Sequence, residues 1–368
     1  MRILLVKTSS LGDVIHTLPA ITDAARAIPA IRFDWMVEEA FAEIPVWHPA
    51  VERAIPVALR RWRKKPFSAA TRAEWKTFCA TLEAAHYDFV LDAQGLLKSA
   101  WLATKAHAPI HGFDFSSARE PLASLAYNHR HAVPRERHAV RRLRELFAAT
   151  FGYLLPEIAT REDDGANSAD ATAYGLDRAR ILAGAGEAPC LSETQSNKRR
   201  LVFFHGTSWP TKHWPEHAWR ELARLASSAD WHVLLPWNDK DEHERAQRIA
   251  ANLPGVQVLP KLPLAGLAAE IASATACVAV DTGLGHLAAA LDVPTLSLFG
   301  PTNPGFTGAW GRRQLRFATD FPCAPCLRKT CPLRSASAAA SASASVDSPC
   351  FARLSPTRVW EILNSMAY

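Results

Sequence analysis

A short segment in the second half of the chain places a carboxylate, a hydroxyl and a glycine at the end of a predicted strand. Residues 277–280 are apolar and predict a buried strand, which Asp281, Thr282 and Gly283 follow directly. An apolar helix containing His286 comes next. A carboxylate beside the exposed N–H groups of a helix start suits a polyol held next to a phosphate. The pattern therefore indicates a sugar-nucleotide ligand, although His286 taken alone is more typical of a core or cap histidine.

A second polar loop follows the predicted strand at residues 201–204. Hydroxyls of Thr207 and Ser208, with backbone N–H groups, can surround a phosphate, and Lys212 adds a point charge. A solvated loop explains the same residues when they are taken alone. Because the carboxyl ends of parallel strands share one edge of a sheet, we expect this loop to face Asp281.

Glu242 lies in a polar run that follows another predicted strand. Its carboxylate could accept hydrogen bonds from a ribose. Such a run is also typical of the solvated start of a helix, so both interpretations stay open.

Asp13 follows the first predicted strand, residues 3–6, and a glycine at position 12 allows a tight turn before it. The carboxylate sits at a helix start, where the helix dipole favours its ionised form. One interpretation is a helix cap. The other is a general base whose position makes it useful. Neither a G-x-G-x-x-G nor a Walker pattern is present, so a glycine-rich nucleotide loop is disfavoured.

Residues 60–65 contain five cations in six positions, with Arg60, Arg61 and Arg63 among them. Guanidinium groups suit carboxylate and phosphate ligands. Arg119 and Arg144 are further candidates in the same half of the chain. A solubilising surface run is the alternative. No helix-turn-helix or RNA-binding signature accompanies the cluster, so no nucleic-acid partner is expected.

Seven cysteines are present, and Cys323, Cys326 and Cys331 are closely spaced, with Cys350 further on. Four thiolates could hold zinc or form a redox bridge. The spacing departs from paired C-x2-C knuckles, so free thiols are favoured and no metal is assigned. An odd, scattered count fits a reducing compartment.

The chain has 368 residues, 48% of them hydrophobic, and a formal net charge of +6. Its length favours two domains, and its charge favours anionic partners without identifying them. The apolar run at residues 3–6 is too short for a signal peptide, and no stretch approaches the roughly 20 apolar residues of a membrane span. We therefore expect a cytoplasmic protein, with peripheral association to a membrane face left open.

Strand and helix patterns alternate in two blocks, which predicts an α/β chain with two doubly wound domains and a cleft between them. The predicted strands are residues 3–6, 33–37, 89–92 and 110–112 in the first block, and 201–204, 232–235, 256–259, 277–280 and 295–299 in the second. Helices are predicted at residues 68–85, from Pro215 onward, and at residues 355–366.

A polar, acidic stretch at residues 161–170 is interpreted as the interdomain linker. The predicted domains are residues 1–165 and 171–354, and the closing helix within residues 355–368 is expected to pack back on the first domain. Residues 335–345 contain only serine and alanine, which predicts a surface insertion.

Several of these segments, taken in order, resemble glycosyltransferase family 9 over nearly the whole chain. The segments that carry the resemblance are residues 7–13, 58–63, 92–99, 212–216 and 281–287. Together they are far more specific than any one of them.

The resemblance implies a GT-B fold, in which two Rossmann-like domains face each other across a cleft. It implies transfer of L-glycero-D-manno-heptose from ADP-heptose to the Kdo of Kdo2-lipid A, with inversion at the anomeric carbon. The first domain would bind the acceptor and the second the donor. No cofactor is implied, and the enzyme would lie at the cytoplasmic face of the bacterial inner membrane.

The resemblance also implies roles for individual residues. The position of Asp13 would be the base that deprotonates the acceptor hydroxyl. The donor would be held by Thr207, Ser208, Lys212, Glu242, Asp281, Thr282, Gly283 and His286. The acidic acceptor would meet Arg60, Arg61, Arg63 and Arg119.

Three other functions are consistent with part of the sequence. A transferase adding the second heptose shares the donor site, and the match at residues 58–63 favours the first addition. An epimerase of the same fold would need acid/base pairs around the donor and no acceptor patch. A binder without catalytic activity would tolerate loss of Asp13.

Overall fold

The computed structural model describes residues 1–155, 174–184, 199–333 and 348–366. These form two compact units, residues 1–155 with 174–177, and residues 178–184, 199–333 and 348–366. Each unit contains one six-stranded sheet. The predicted linker at residues 161–170 and the serine/alanine stretch at 335–345 lie outside the described residues.

All neighbouring strands of the first sheet are parallel, in the order β3-β2-β1-β4-β5-β6. The strands are β1 (Arg2–Val6), β2 (Arg32–Glu38), β3 (Val51–Val57), β4 (Phe89–Asp92), β5 (Ile110–Phe113) and β6 (His129–His131). The sequence analysis missed β3 and β6. Both are edge strands, and β3 contains a proline while β6 is polar throughout, so neither shows the apolar run of a central strand.

Helices cover both faces of this sheet. They are α1 (Leu11–Ala27), α2 (Leu59–Trp62), α3 (Ala69–Glu83), α4 (Leu97–Ala103) and α5 (Ala139–Phe151). Leu4 and Val6 of β1 pack in one core cluster with Trp62 and Phe78 from α2 and α3. On the opposite face, Phe33 of β2 contacts aromatic rings of α5. Because successive side chains of a strand point to opposite faces of the sheet, each face of the first sheet packs its own hydrophobic core.

The second sheet is also parallel throughout, in the order β12-β11-β10-β7-β8-β9. Its strands are β7 (Arg199–Phe204), β8 (Trp231–Leu235), β9 (Val256–Val258), β10 (Ala276–Val280), β11 (Thr295–Phe299) and β12 (Gln314–Ala318). Its helices are α6 (Arg178–Gly184), α7 (Glu216–Ser228), α8 (Lys240–Ala250), α9 (Leu264–Ala272), α10 (Gly283–Ala290), α11 (Pro304–Thr307) and α12 (Pro356–Met366). The sequence analysis missed the edge strand β12.

The closing helix α12 packs in the second unit. Val359 and Leu363 are fully buried in the core cluster that contains Trp219 and Leu222 of α7. The sequence analysis expected this helix to pack across the first domain, whereas its two buried apolar side chains lie in the second core.

Each sheet has the strand order of a dinucleotide-binding fold, with one point where the order reverses. In the first unit the reversal lies between β1 and β4, and in the second between β7 and β10. Ligands of open parallel sheets bind outside the carboxyl ends of the strands at such points. Within the described residues no helix has the length and apolar character needed to span a bilayer.

Candidate active site

The loop after β10 brings Asp281 to the start of α10. Thr282 is the extended residue before the helix, Gly283 is its first residue, and His286 is buried one turn further on. A Cβ at Gly285 would lie 3.2 Å from the Ala279 Cβ, so a small residue lets the helix begin tightly against the strand. The first N–H groups of α10 are therefore presented at the carboxyl edge of the sheet.

The loop after β7 meets Asp281, as the shared sheet edge predicts. The Lys212 ammonium lies 2.7 Å from Asp281 Oδ2, and the Thr207 hydroxyl donates to the Asp281 carbonyl oxygen at 3.0 Å. Thr302, which the sequence analysis did not single out, also donates to Asp281 Oδ2, at 2.8 Å. The Lys212 ammonium lies over the Trp209 ring at 4.5 Å from its centroid. One carboxylate thus positions the cation of the loop.

Glu242 reaches the same loop from α8. Its Oε2 accepts a hydrogen bond from the Asn238 N–H at 2.8 Å, and a Cβ added to Gly206 would lie only 2.1 Å from its Oε1. Burial is the main cause that raises the pKa of Glu242. Ser208 lies exposed in the neighbouring loop. The structure therefore groups Glu242 with Thr207, Lys212 and Asp281, although the sequence could not decide this.

Three side chains behind this loop were missed by the sequence analysis. Arg245 of α8 donates to the His205 carbonyl oxygen at 3.3 Å and contacts His213 Nδ1. Burial lowers the pKa of His205 to about 3, and burial together with Arg245 lowers the pKa of His213 to about 4. Both histidines are therefore neutral at pH 7 and support the loop without adding charge. Their only sequence signal is their place on either side of Thr207 and Lys212.

In the first unit, Asp13 is the third residue of α1. Its Oδ2 accepts from the Ser10 N–H at 2.7 Å and from the Ser10 hydroxyl at 3.0 Å, while its Oδ1 lies 4.0 Å from the Lys7 ammonium. The carboxylate therefore caps the helix, and its side chain is also 33% exposed. Because the carboxylate is partly exposed, a ligand can reach it while it caps the helix. The two interpretations of Asp13, helix cap and general base, therefore remain compatible.

Buried polar groups hold the loop that carries Asp13. Gln94 Oε1 accepts from the Thr8 N–H at 3.0 Å and from the Ser9 N–H at 3.3 Å, and the Lys7 ammonium donates to the Ala93 carbonyl oxygen at 3.0 Å. Burial is the main cause that lowers the pKa of Lys7. Gln94 lies in the segment 92–99 that carries the family resemblance, but its residue type alone did not predict this supporting role.

The predicted acceptor arginines separate into two groups. Arg60 and Arg63 line a cavity of about 590 Å³ that reaches Ser9, the neighbour of Ser10. Arg61 points elsewhere, because Glu39 at 2.9 Å and Glu74 at 2.7 Å bind its guanidinium and raise its pKa.

Arg119 lies exposed beside the Gly95 turn, where its backbone nitrogen is 3.4 Å from a Cβ built on Gly95. Arg144 is not available to a ligand, contrary to the sequence analysis. It is buried, and its Nη2 donates to Asp23 Oδ1 at 3.0 Å. An arginine inside an amphipathic helix cannot be assigned to the surface or to a buried ion pair from the sequence.

Indole rings form much of the wall of the Arg60 cavity. Trp75 and Trp101 are stacked with centroids 4.9 Å apart, and Trp62 meets Trp75 edge to face at 5.9 Å. Arg72 and Lys98 complete the wall together with the arginines. The lining thus combines apolar rings with four cationic side chains and one carboxylate, that of Glu38, which suits an amphiphilic anion.

The four clustered cysteines are free thiols. Burial raises the pKa of Cys350 to about 11, with further contributions from Cys323, Cys326 and Cys331. Within the described ranges no group of three or more histidine, cysteine or acidic side chains has an arrangement able to hold a metal ion.

Comparison with known proteins identifies the family. The family model "Glycosyltransferase family 9 (heptosyltransferase)" matches residues 75–337. A Pseudomonas aeruginosa protein named lipopolysaccharide heptosyltransferase 1 is 55% identical over 369 residues, which cover 100% of this chain and 98% of that protein.

Solved structures agree. The chain is similar to an Escherichia coli heptosyltransferase WaaC with ADP, with a TM-score of 0.82, 43% identity and full coverage of both chains. WaaC with ADP-2-deoxy-2-fluoro heptose gives a TM-score of 0.78 at 43% identity, with 99% of each chain covered. Two Rossmann-like units are the architecture of the GT-B fold, and the similar WaaC structures are heptosyltransferases. The chain belongs to glycosyltransferase family 9, the heptosyltransferases, which confirms the fold class and the enzyme class expected from the sequence.

Proposed function

We propose that this enzyme transfers L-glycero-D-manno-heptose from ADP-heptose to the Kdo of Kdo2-lipid A, with inversion at the anomeric carbon. The observation that carries the proposal is the contact of Lys212 with Asp281 at the start of α10, the switch point of the second sheet. Full-length similarity to a protein named lipopolysaccharide heptosyltransferase 1 favours the first heptose addition over the second. It likewise disfavours an epimerase.

The donor would bind in the second unit. Lys212 and the N–H groups that open α10 would neutralise the diphosphate. Ser208 would donate a hydroxyl hydrogen bond to it, and Thr207 would do so after leaving the Asp281 carbonyl oxygen. Asp281 and Glu242 would accept hydrogen bonds from sugar hydroxyls. Thr282, Gly283 and His286 would position the helix start. The same positive charge would stabilise ADP as it leaves, because negative charge develops on the diphosphate in the transition state.

Asp13 would be the general base. Direct displacement at an anomeric carbon needs a base on the face opposite the leaving group. Asp13 would take the proton of the acceptor hydroxyl while that oxygen bonds to the anomeric carbon and the bond to ADP breaks. Its capping bonds to Ser10 fix the carboxylate in one orientation, so its usefulness comes from position.

The acceptor would bind in the first unit. Arg60 and Arg63, at the cavity that reaches Ser9, suit the carboxylates and phosphates of an acidic glycolipid. Arg61 would contribute only after leaving Glu39 and Glu74, and Arg119 would act from beside Gly95. Because the proposed acceptor is a lipid, we also propose a peripheral location at the cytoplasmic face of the inner membrane.

The test is incubation of the full chain with ADP-heptose and Kdo2-lipid A, followed by mass analysis. We expect an acceptor heavier by one heptose and release of ADP. UDP- and GDP-sugars serve as donor controls. A product that forms only on an acceptor already carrying one heptose would replace the first addition with the second, and absence of any product would refute the proposal.

A further inference from the structure

The first unit exposes large apolar side chains on helical segments whose other sides are buried. In α4, Leu97 is 50% and Trp101 is 49% exposed, whereas Ala100 and Leu102 are buried. In the 3-10 segment Pro121–Ala126, Leu122 and Leu125 are exposed while the alanine and serine between them are buried. Phe67, between α2 and α3, is 86% exposed. Single exposed apolar residues are common, but a contiguous patch of them marks an interaction surface.

Direct contacts join these residues into one surface. The Arg72 guanidinium of α3 donates to the Phe67 carbonyl oxygen at 2.8 Å. Trp75 of α3 stacks on Trp101 of α4 at 4.9 Å.

The start of α4 is joined in turn to the 3-10 segment. The Leu97 N–H donates to Glu120 Oε2 at 2.7 Å, directly before Pro121–Ala126. The buried sides of α2, α3, α4 and this segment share one core cluster, so these elements cover the same face of the first sheet.

Several cations lie on the same elements as the apolar residues, together with the exposed carboxylate of Glu120. Lys64, Lys65, Arg72 and Lys98 are exposed, and the Lys105 ammonium lies over the Trp101 ring at 5.2 Å from its centroid. We define the amphipathic face as the apolar residues Phe67, Leu97, Trp101, Leu122 and Leu125 with the cations Lys64, Lys65, Arg72, Lys98 and Lys105. Tryptophan and leucine beside lysine and arginine is the composition of segments that lie in the interface of an anionic bilayer.

The cavity of about 590 Å³ opens among the same elements. Trp101, Arg72 and Lys98 belong both to its lining and to the amphipathic face, and Ser9 lies at another wall. Ser9 precedes Ser10, which holds Asp13. A bilayer against this face would therefore have a cavity leading from the lipid surface toward Asp13.

We propose that the amphipathic face docks the enzyme on an anionic lipid bilayer. The apolar side chains would enter the headgroup region while the lysines and arginines contact lipid phosphates. This inference deepens the proposed function, on which it rests for the lipid character of the acceptor, by naming the surface that meets the membrane. A second copy of the chain is the competing occupant.

The test is co-sedimentation of the full chain with phosphatidylcholine vesicles, with and without phosphatidylglycerol. We expect at least about tenfold stronger binding to the anionic vesicles, since each cation near such a surface contributes a factor of roughly five. Leu122→Ser with Leu125→Ser should weaken that binding by about tenfold or more. Lys64→Gln with Lys65→Gln should weaken it by a similar factor and reduce its dependence on salt.

Matched controls separate docking from loss of folding. Leu154→Ser removes a leucine that is 95% exposed and follows α5, on the opposite face of the sheet, and it should bind vesicles like the wild type. Arg224→Gln removes an exposed cation of the second unit and should do the same. Thermal unfolding checks each variant, and Phe67→Ser provides an independent apolar variant if the leucine pair does not fold.

Failure of this inference is distinct from failure of the proposed function, because vesicle binding requires neither donor nor acceptor. Equal binding to neutral and anionic vesicles, or equal loss in the Leu154 control, would overturn the docking surface. So would a leucine pair variant that keeps vesicle binding and loses self-association, since a second copy would then cover the face. Transfer to a fully deacylated, water-soluble acceptor should stay at the wild-type rate in the leucine pair variant.

Discussion

The Lys212 ammonium and the Thr302 hydroxyl converge on one oxygen, Oδ2 of Asp281, at 2.7 and 2.8 Å. Both ion-pair partners are largely shielded, with side-chain exposures of 16% for Lys212 and 7% for Asp281. The carboxylate therefore fixes the ammonium at the edge of the sheet before any ligand arrives. A fixed cation loses less conformational entropy on binding a diphosphate than a mobile one would.

Lys212→Ala should weaken binding of both ADP and ADP-heptose by about tenfold or more, because a hydrogen bond to a charged group contributes roughly 1.5–3 kcal/mol. It should also lower kcat, since the leaving diphosphate loses a cation. Isothermal titration and steady-state kinetics measure the two effects.

Asp281→Asn is the matched control for Lys212. The amide keeps an oxygen for Thr302 and releases the ammonium, so ADP binding should weaken by less than in Lys212→Ala, because the cation is still present but no longer fixed. ADP-heptose should lose a sugar contact in addition. Equal losses of ADP affinity in both variants would mean that Asp281 acts only by holding Lys212.

Two substitutions of Asp13 can distinguish its role as a helix cap from its proposed role as a general base. Asp13→Asn retains an oxygen that can accept from the Ser10 N–H, but it cannot take up a proton. We expect kcat to fall by roughly 10²–10⁴ while thermal stability and ADP-heptose affinity stay near wild type. Asp13→Ala should lose the same activity and, in addition, about 0.3–1.5 kcal/mol of stability, because the capping box with Ser10 is lost. An asparagine variant with wild-type kcat would remove Asp13 from the role of base.

Gly206 is predicted to control donor binding through Glu242. A Cβ at position 206 would lie 2.1 Å from Glu242 Oε1, so Gly206→Ala must move that carboxylate. Because the clash involves the end of a flexible side chain, stability should change little. Donor affinity should fall by about the same factor as in Glu242→Ala, and the double variant should be no weaker than either single one. Additive losses, measured by titration with ADP-heptose, would show that the two positions act separately.

Sequence patterns predicted the central strands well because buried parallel strands are continuous apolar runs. The structure confirms β4 and β11 at the predicted bounds. Edge strands do not have this apolar pattern. The sequence of β6 is His-Arg-His, which is polar throughout, so its local composition does not predict a strand. β6 forms as a strand because it pairs with β5, since its own residue types do not indicate a strand.

The meeting of the loops after β7 and β10 was predictable for a related reason. Asp281 and Lys212 follow strands that are neighbours across the switch point, and strand order alone brings them together. Side-chain direction was not predictable. Arg60 and Arg61 are adjacent in the sequence, yet one lines the cavity and the other pairs with Glu39 and Glu74. Successive residues of a helix project in different directions, and a run of consecutive cations does not indicate which of them faces the cavity.

Acid should destabilise the first unit through His48. This buried ring accepts from the Ala50 N–H at Nδ1, 3.1 Å away, and its Nε2 lies 3.0 Å from the Thr22 hydroxyl. Burial lowers the pKa of His48 from 6.5 to about 4. The unfolded chain therefore binds a proton at higher pH than the folded chain. Stability from this group is complete above pH 6.5 and is lost as the pH falls toward 4.

Unfolding by urea at pH 7 and pH 5 measures this loss. The neutral ring of His48 should account for roughly 2 kcal/mol of the difference in unfolding free energy between the two pH values. His48→Gln should abolish this contribution to the pH dependence and should also lower the stability at pH 7. His217→Gln is the control, because His217 is exposed on α7 and its loss should leave the pH dependence unchanged. If His48→Gln kept the full wild-type slope between pH 5 and 7, acid sensitivity would have to come from other groups. Within the first unit the half-buried His111 is the first to test, since burial and then His129 and His131 lower its pKa to about 4.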